Sequence, residues 1–316
     1  MNDSTPIFQK GIKVLFMGLD NAGKTSIILT LLRQLSKIIV IAPTKSVQTR
    51  VYEFLGVEVS EWDLGGHSSY RESYLKSPEI YFDKTDILNY VIDIQDKARS
   101  AESLNFLIEI IIRFKAIGIE PHVNVLFHKF DPVPIIKSQD EIIDLSLSLR
   151  TKISKLINYP ETKMRFYETS IFNIPSIINT MSEVISSKIP KTKLVRKIVK
   201  EFAKKMDFEG LVILNDNTLI IFSYYKDKDT QSLMSSTIHH FLEVNDMFQR
   251  YLEKGREATF EDGIIVNRSN KFFLFKEFRL IPEGPPHYFL SCMKDVSINK
   301  ENYEAFIDQI RAVLKS

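Results

Sequence analysis

The chain has 316 residues, enough for two ordinary domains, and its 44% hydrophobic and 26% charged residues are typical of a globular protein. Its 42 basic and 40 acidic residues give a net charge of +2, so nothing indicates a nucleic-acid-binding protein with a domain-wide basic excess. The single cysteine, Cys292, excludes a disulfide within the chain and predicts a buried thiol in a reducing compartment. The most apolar run, 106–112, is short and contains Glu109, so we expect a cytoplasmic protein with no integral membrane segment.

The first part of the chain alternates strand and helix patterns. Apolar runs of strand length lie at 12–19, 50–55, 57–64, 87–94, 123–127 and 164–171, and Gly56 separates the second from the third as in a hairpin. Helical spacing of apolar residues is found at 24–35, 101–115, 140–156 and 174–187. This alternation predicts an α/β domain with a mostly parallel six-stranded sheet, helices on both faces and one antiparallel edge.

The pattern changes after Pro190, which lies in a polar run that disfavours a continuous helix. We therefore predict two domains, 1–188 and 189–316. In the second, helices are expected at 193–206, 233–254 and 303–314, and strands at 211–214, 219–225, 259–266, 271–278 and 287–294. The order α-β-β-α-β-β-β-α predicts an α+β domain whose antiparallel sheet is covered by helices.

A P-loop pattern, glycine, four residues and Gly-Lys-Thr, runs from Gly18 to Thr25 between the first strand and the first helix. Backbone amides and the helix N-terminus can face phosphate oxygens there. Lys24 is expected to supply charge to the β- and γ-phosphates, and Thr25 a hydroxyl to Mg²⁺. The predicted phosphate-binding residues are Asp20, Asn21, Ala22, Gly23, Lys24, Thr25 and Ser26.

A second anchor, Trp-Asp-Leu-Gly-Gly, ends the third strand at Gly66. A carboxylate at a strand end can hold Mg²⁺, so Asp63 is predicted as a metal-site residue. Gly66 can turn its amide toward a γ-phosphate. A simple turn is the alternative for this segment, but a chance match to both anchors in the correct order is far rarer than to one.

A third motif, His128-Lys129-Phe130-Asp131, follows the strand at 123–127. The two oxygens of Asp131 can accept hydrogen bonds from N1–H and the N2 amine of guanine, a pattern that adenine does not offer. Lys129 can lay its aliphatic stem over the base. For His128 the alternative is a buried histidine that caps the strand.

These motifs resemble two branches of the Ras-like GTPases. GLDNAGKTS, and Pro43-Thr44 followed by WDLGG, are similar to the Arf branch, whereas His-Lys-x-Asp and Glu-Thr-Ser-Ile at 168–171 are similar to the Rag GTPases. The resemblance implies GTP/GDP and Mg²⁺ as ligands. It also implies that Thr44 closes on Mg²⁺, with Thr49 as the other candidate, and that backbone amides at Ser170 and Ile171 touch the guanine carbonyl.

Hydrolysis is where the sequence departs from the family pattern. Ras-like proteins usually carry a glutamine after the second switch glycine, to orient the attacking water, but this chain has His67. The predicted catalytic residues are Lys24, Gly66 and His67, and Arg71 is a nearby arginine without an assigned role. We expect a slow GTPase; the alternative is a dimeric scaffold that keeps its nucleotide. A P-loop kinase or ATPase would leave Asp131 unexplained.

The expected partners fall into two groups. Effectors and regulators should bind the segments 40–50 and 64–76, which the γ-phosphate would order. The C-terminal domain resembles the roadblock (longin-like) module of Rag proteins, which implies a homodimer or a heterodimer. The basic amphipathic helix 191–206 can touch anionic lipid, but a core-facing helix with a solvated outer face is favoured, so membrane contact is expected to be at most peripheral or through a partner.

Overall fold

The computed structural model describes residues 9–132, 139–252, 263–268, 270–280, 284–294 and 300–315. They form two compact units: the first ends at Thr180 and excludes 31–33, and the second consists of 31–33 and the chain from Met181 onward. The domain boundary between 188 and 189 stays a prediction. Within the described residues, no helix has both the length and the apolar character needed to cross a membrane.

The first unit is built on a six-stranded sheet in the order β2-β3-β1-β4-β5-β6. Its strands are Gln9–Met17 (β1), Val47–Phe54 (β2), Val57–Leu64 (β3), Ile87–Asp93 (β4), His122–His128 (β5) and Met164–Thr169 (β6). Its helices are Lys24–Leu31 (α1), Leu35–Ile38 (α2), Ser68–Lys76 (α3), Pro78–Tyr81 (α4), Ser100–Ala116 (α5) and Gln139–Leu156 (α6), and Ile174–Ser186 (α7) begins in this unit and ends in the second. All neighbouring strands are parallel except β2 and β3, which confirms the predicted sheet.

The central strands explain the uninterrupted apolar runs of the sequence. In β4 every residue from Ile87 to Ile92 is buried, because helices cover both faces of a parallel sheet. The edge strand β2 instead has only exposed and partly buried residues before its last residue, Phe54, which is buried. Leu55 and Gly56 both adopt positive φ, +55° and +76°, so the β2–β3 hairpin closes through the tight turn that right-twisted strands prefer.

Two local features differ from the sequence prediction. Helix α1 ends at Leu31 rather than at 35, because Arg33 adopts a left-handed φ of +57° and the Gln34 amide donates back to the Leu29 carbonyl at 2.9 Å. Helices α2, α3 and α4 were not predicted. Helix α3 is mostly polar, with Tyr74 as its one buried residue, so it lacks the apolar periodicity that identifies a helix.

The second unit has a five-stranded antiparallel sheet in the order β8-β7-β11-β10-β9. Its strands are Gly210–Asn215 (β7), Ile220–Tyr225 (β8), Ile264–Arg268 (β9), Lys271–Arg279 (β10) and Pro286–Met293 (β11). Its helices are Thr192–Lys205 (α8), Lys228–Leu252 (α9) and Lys300–Lys315 (α10). The predicted order of helices and strands is confirmed, although 259–262 of the strand predicted at 259–266 lie outside the described residues. Cys292 on β11 is buried, as expected.

Helix α8 shows how the basic amphipathic segment is used. Its apolar face packs against β8 and α10, where the ring of Phe202 stacks on Phe306 with centroids 3.9 Å apart. Val195 and Val199 are fully buried, while Arg196 and Lys197 between them are exposed. The core-facing interpretation of this helix is confirmed.

Candidate functional site

The carboxyl ends of the five parallel strands meet at one edge of the first sheet, the edge where α/β proteins bind ligands. The P-loop follows β1 there and curves around the N-terminus of α1. Asn21 and Gly23 have φ of +58° and +93°, which turn the backbone into a cradle. A cavity of about 560 Å³ opens beside it, lined by P-loop residues, by Ile41–Lys45 and by Gly66, His67, Ser69 and Tyr70. The cavity therefore joins the P-loop to both predicted switch segments.

Lys24 lies at the base of this cavity with 5% of its surface exposed. Its Nζ donates to the carbonyl oxygens of Leu19, at 2.7 Å, and Gly18, at 3.1 Å. Burial lowers the pKa of Lys24 to about 8, and the carboxylates of Asp63 and Asp20 oppose that shift. The ammonium group is thus desolvated and held at the P-loop, where a phosphate would be an additional anionic partner.

The three predicted metal-site residues converge beside Lys24. The Thr25 hydroxyl donates to Asp63 Oδ2 at 2.5 Å and lies 2.9 Å from the Thr44 hydroxyl, which is itself 3.4 Å from Asp63 Oδ2. Thr49 instead lies in β2 opposite Trp62 and is exposed, so the structure brings Thr44 and not Thr49 to this point.

Asp63 carries the electrostatic signature of this cluster. It is 3% exposed, and burial raises the pKa of its carboxyl group despite the hydrogen bond from Thr25. Its Oδ1 is buried without a hydrogen-bond partner among the described residues, which is a costly state for a carboxylate oxygen. Two hydroxyls and an orphaned carboxylate oxygen form a hard, all-oxygen donor set, which fits Mg²⁺. Next to Asp63, the ring of Trp62 lies under the Lys13 ammonium, 4.1 Å from the ring centroid.

Gly66 packs directly on the P-loop backbone. Its carbonyl accepts a hydrogen bond from the Asp20 amide at 3.1 Å, and a Cβ built on Gly66 would lie 2.2 Å from the Asp20 nitrogen. No larger residue fits without moving the P-loop. The role predicted for the Gly66 amide stays a prediction.

His67 caps the N-terminus of α3, with its carbonyl accepting the first backbone hydrogen bonds of the helix. Its imidazole is exposed, lies 3.0 Å from the Ser69 hydroxyl and lines the cavity. Arg71 faces elsewhere: its guanidinium donates to Glu102 at 2.5 Å and lies 5.1 Å from the ring centroid of Phe106. His67 therefore lies at the cavity, whereas Arg71 is held against α5.

The base-site residues are also brought together. Asp131, 7% exposed, accepts a hydrogen bond at each oxygen: from the Ser170 hydroxyl at 2.5 Å and from the Gln95 amide at 2.7 Å. Gln95 donates as well to the Lys129 carbonyl at 2.7 Å. The carboxylate of Asp131 is thus held in one orientation by side chains from the loops after β4 and β6.

His128 is buried at the end of its strand, as the alternative interpretation predicted, and it packs against the P-loop; its role at the nucleotide stays a prediction. It ends β5, with Nδ1 3.0 Å from the Thr169 hydroxyl, and a Cβ built on Gly23 would lie 2.3 Å from its Cδ2. Burial lowers the pKa of His128 to about 3, so the imidazole is neutral. A neutral ring fills the space between the base loop and the P-loop.

The other predicted base-site residues are placed less directly. The ammonium of Lys129 pairs with Asp93 at 2.6 Å, and its backbone has a left-handed φ of +61°. The Ser170 amide donates to the Ser176 hydroxyl at 3.0 Å. Ile171 follows in a turn and is partly buried. Their contacts with a guanine base stay predictions.

Two residues of this edge were missed from the sequence, Gln95 at the base site and Arg99 at the P-loop. Both belong to the short segment between β4 and α5. The Arg99 guanidinium donates to Asp20 at 2.7 Å and to Glu102 at 3.0 Å. Nothing in a lone glutamine or arginine within a charged loop signals such contacts, so only the folded arrangement reveals them.

Comparisons with known proteins agree with these motifs. The family model described as the Gtr1/RagA G protein conserved region matches residues 13–248. The GTP-binding protein gtr1 of Schizosaccharomyces pombe is 23% identical over 292 residues, which cover 90% of this chain and 89% of that protein.

Arf-like proteins are also similar. The ADP-ribosylation factor-like protein alp41 of Schizosaccharomyces pombe is 28% identical over 169 residues, covering 54% of this chain and 79% of its own length. A solved structure of the small GTPase Arl6 (BBS3) from Trypanosoma brucei, with the nucleotide analogue GppNp bound, covers 56% of this chain and 97% of its own, with 22% identity and a TM-score of 0.41.

Proposed function

Because this chain belongs to the Gtr1/RagA family of GTP-binding small GTPases, we propose that it is a signalling or trafficking switch that binds GTP or GDP with Mg²⁺ and hydrolyses GTP slowly. Small GTPases as a class hydrolyse GTP to GDP and phosphate. For this chain, the preference for guanine, the use of Mg²⁺ and the slow rate of GTP hydrolysis are the parts that we propose. The observation that carries the proposal is the convergence of Thr25, Thr44 and Asp63 beside the buried Lys24.

Thr25, Thr44 and Asp63 would hold the metal ion, and Lys24 the phosphates. When bound, Mg²⁺ supplies positive charge to the phosphate oxygens of the nucleotide. Thr44 belongs to the segment 40–50, and Gly66 to the segment 64–76. Groups that reach the γ-phosphate side from both segments make contacts in the GTP state that are lost with GDP, and this differential contact is what a switch needs.

Base recognition is assigned to Asp131. Ser170 and Gln95 each donate to one of its oxygens, which fixes the plane of the carboxylate and leaves further lone pairs for two donors of guanine. His128 holds this loop against Gly23, so the base loop and the P-loop are kept at a constant separation.

The decisive experiment is a titration of GDP and ADP with the magnesium-containing full-length protein. We expect GDP to bind at least a hundredfold more tightly than ADP, because adenine leaves the Asp131 carboxylate without its donors, and we expect chelation of Mg²⁺ to weaken binding. Asp131→Asn should shift preference toward xanthine nucleotides, whereas Asp144→Asn on the exposed face of α6 should not. Equal affinity for GDP and ADP, or unchanged GDP binding by Asp131→Asn, contradicts the assignment.

The slow rate is inferred from His67. An imidazole that hydrogen-bonds to Ser69 at the start of α3 differs in reach from a glutamine amide, so we expect it to orient the attacking water less well. This favours a second candidate function, a scaffold that keeps its nucleotide. Single-turnover hydrolysis by wild type and His67→Gln separates them: a slow wild type that His67→Gln accelerates supports the switch, and no turnover in either supports the scaffold. Rapid wild-type turnover contradicts both.

The second unit is proposed as a roadblock (longin-like) dimerisation domain. Its helix α9 exposes apolar side chains at helical spacing, among them Val244, 39% exposed, and Met247, 60% exposed, and the edge strand β9 exposes Ile265 at 57%. Such a stripe is typical of a helix that packs against a partner. We expect the double variant Val244→Asp and Met247→Asp to convert a dimer of the full chain to monomer in sedimentation, and Ser236→Asp on the same helix to have no effect. A wild-type monomer at high concentration argues against a homodimer.

A further inference from the structure

A charged side chain from the segment after β4 contacts the P-loop. Arg99 ends a short 3-10 turn, Lys97–Arg99, and its guanidinium donates to Asp20 Oδ1 at 2.7 Å. Its exposed fraction is 31%, and that of Asp20 is 43%, so this is a partly solvated ion pair. Neither the hydrolysis scheme nor the base site uses it.

Asp20 occupies a sensitive position in the cavity. Its amide donates to the Gly66 carbonyl, and Asp20 lines the same cavity as Lys24, Gly66 and His67. This is the wall at which the terminal phosphate of a triphosphate is expected. A carboxylate here repels the added negative charge of a γ-phosphate, and GDP does not suffer that repulsion to the same degree.

We propose that Arg99 is a positioning residue that sets the preference for GTP over GDP, by neutralising the Asp20 carboxylate and drawing it toward the 3-10 turn. This inference rests on the proposed guanine-nucleotide function of the cavity. It assigns to the segment after β4 a part in reading the γ-phosphate, alongside the two switch segments.

The direction of Arg99 is set from a second side. Glu102 on α5 accepts from Arg99 at 3.0 Å through one oxygen and from Arg71 on α3 at 2.5 Å through the other. Arg99 lowers the pKa of both Asp20 and Glu102, so the two carboxylates stay ionised and the four groups carry no net charge. The chain of contacts runs from the P-loop through Arg99 and Glu102 to the segment 64–76.

The test is the ratio of affinities for GDP and a non-hydrolysable GTP analogue, measured with full-length protein and Mg²⁺ at low salt. We expect Arg99→Ala to lower the preference for the GTP analogue about fivefold, a size set by the solvent exposure of the pair, and to lose this effect in concentrated salt. Arg99→Lys should retain most of the preference. Adding Asp20→Asn to Arg99→Ala should restore the ratio to within about twofold of wild type, because the repelling charge is gone.

Lys97→Ala is the matched control. It removes a positive charge from the same turn, but Lys97 pairs with Glu141 and not with Asp20. An unchanged ratio in Arg99→Ala, an equal loss in Lys97→Ala, or a failure of Asp20→Asn to restore the ratio overturns the proposal. Absence of guanine-nucleotide binding in wild type would instead remove the function on which it rests, so the two failures are distinguishable.

Discussion

The phosphate side and the base side of the site are built differently. On the phosphate side, Lys24 is bonded to P-loop carbonyls, and Asp63 has a buried oxygen without a partner among the described residues. On the base side, both oxygens of Asp131 accept hydrogen bonds, and His128 is packed as a neutral ring. The first region therefore has polar groups that gain from a ligand, whereas the second has its groups already arranged.

This difference separates switching from selection. Groups that gain new partners only when phosphate and metal are present can respond to the γ-phosphate. Groups that are fixed beforehand cost little to order when a base binds, which favours tight and selective binding in both nucleotide states. The comparison predicts that changes on the phosphate side act mainly through lost charge, and changes on the base side through lost rigidity.

The largest effect is expected from Lys24→Ala. Loss of a buried ammonium with charge-assisted contacts should weaken GDP and GTP binding by about a hundredfold or more, since each such contact contributes roughly 1.5–3 kcal/mol. Lys45→Ala removes an exposed lysine of the same cavity. It should weaken nucleotide binding by about threefold or less, because water already screens the charge of an exposed lysine. Equilibrium titration with both nucleotides measures this, and similar losses in the two variants would contradict a special role for burial.

An effect of intermediate size is expected on the free energy of unfolding when the pH is lowered, through His128. Because burial lowers its pKa from 6.5 to about 3, the unfolded state binds more protons than the folded state between these values, so the stability of the folded state falls as pH falls. From pH 7.5 to 5.5 this histidine should cost the wild type about 1.4 kcal/mol, and His128→Asn should remove that part of the loss.

Thermal unfolding followed by circular dichroism at the two pH values checks the prediction. His240→Asn, which removes an exposed imidazole, serves as the control. The same pH dependence in wild type and His128→Asn would show that the imidazole is not held in its neutral form.

The smallest effect is expected from Gln95→Ala. One neutral hydrogen bond to Asp131 is lost, so GDP affinity should fall about fivefold, corresponding to roughly 1 kcal/mol, with a faster dissociation rate. Gln231→Ala on α9 is the control. Tighter binding by Gln95→Ala would mean that Gln95 competes with guanine for the carboxylate instead of orienting it.

Much of the fold was predictable because its signals are local. The apolar runs of β4 and β5, the tight turn at Gly56 and the helical periodicity of α5 each arise within a short segment. Helix α3 escaped because it is polar and owes its place to the His67 cap and to Tyr74, whose hydroxyl donates to the Ser46 carbonyl 28 residues earlier. A contact between residues so far apart in the sequence is not indicated by the local pattern of apolar residues.

The site divides along the same line. The P-loop, the segment around Asp63 and the His-Lys-x-Asp motif are each a short continuous stretch of sequence. The strand before each of them predicts where it lies in the fold. Gln95 and Arg99 reach Asp131 and Asp20 because β4 lies between β1 and β5 in the sheet, which brings the segment after β4 to both the base loop and the P-loop. Sheet order is a property of the whole domain, so a single sequence gives little indication of it.

The position of Trp62 has a practical consequence. It is the only tryptophan in the chain, and it stands on β3 directly before the carboxylate proposed to face the metal ion. Indole emission responds to the charges and solvent around the ring. A single indole allows its emission to be assigned to β3 without ambiguity, so a change of emission on nucleotide exchange would report on the strand that carries Asp63.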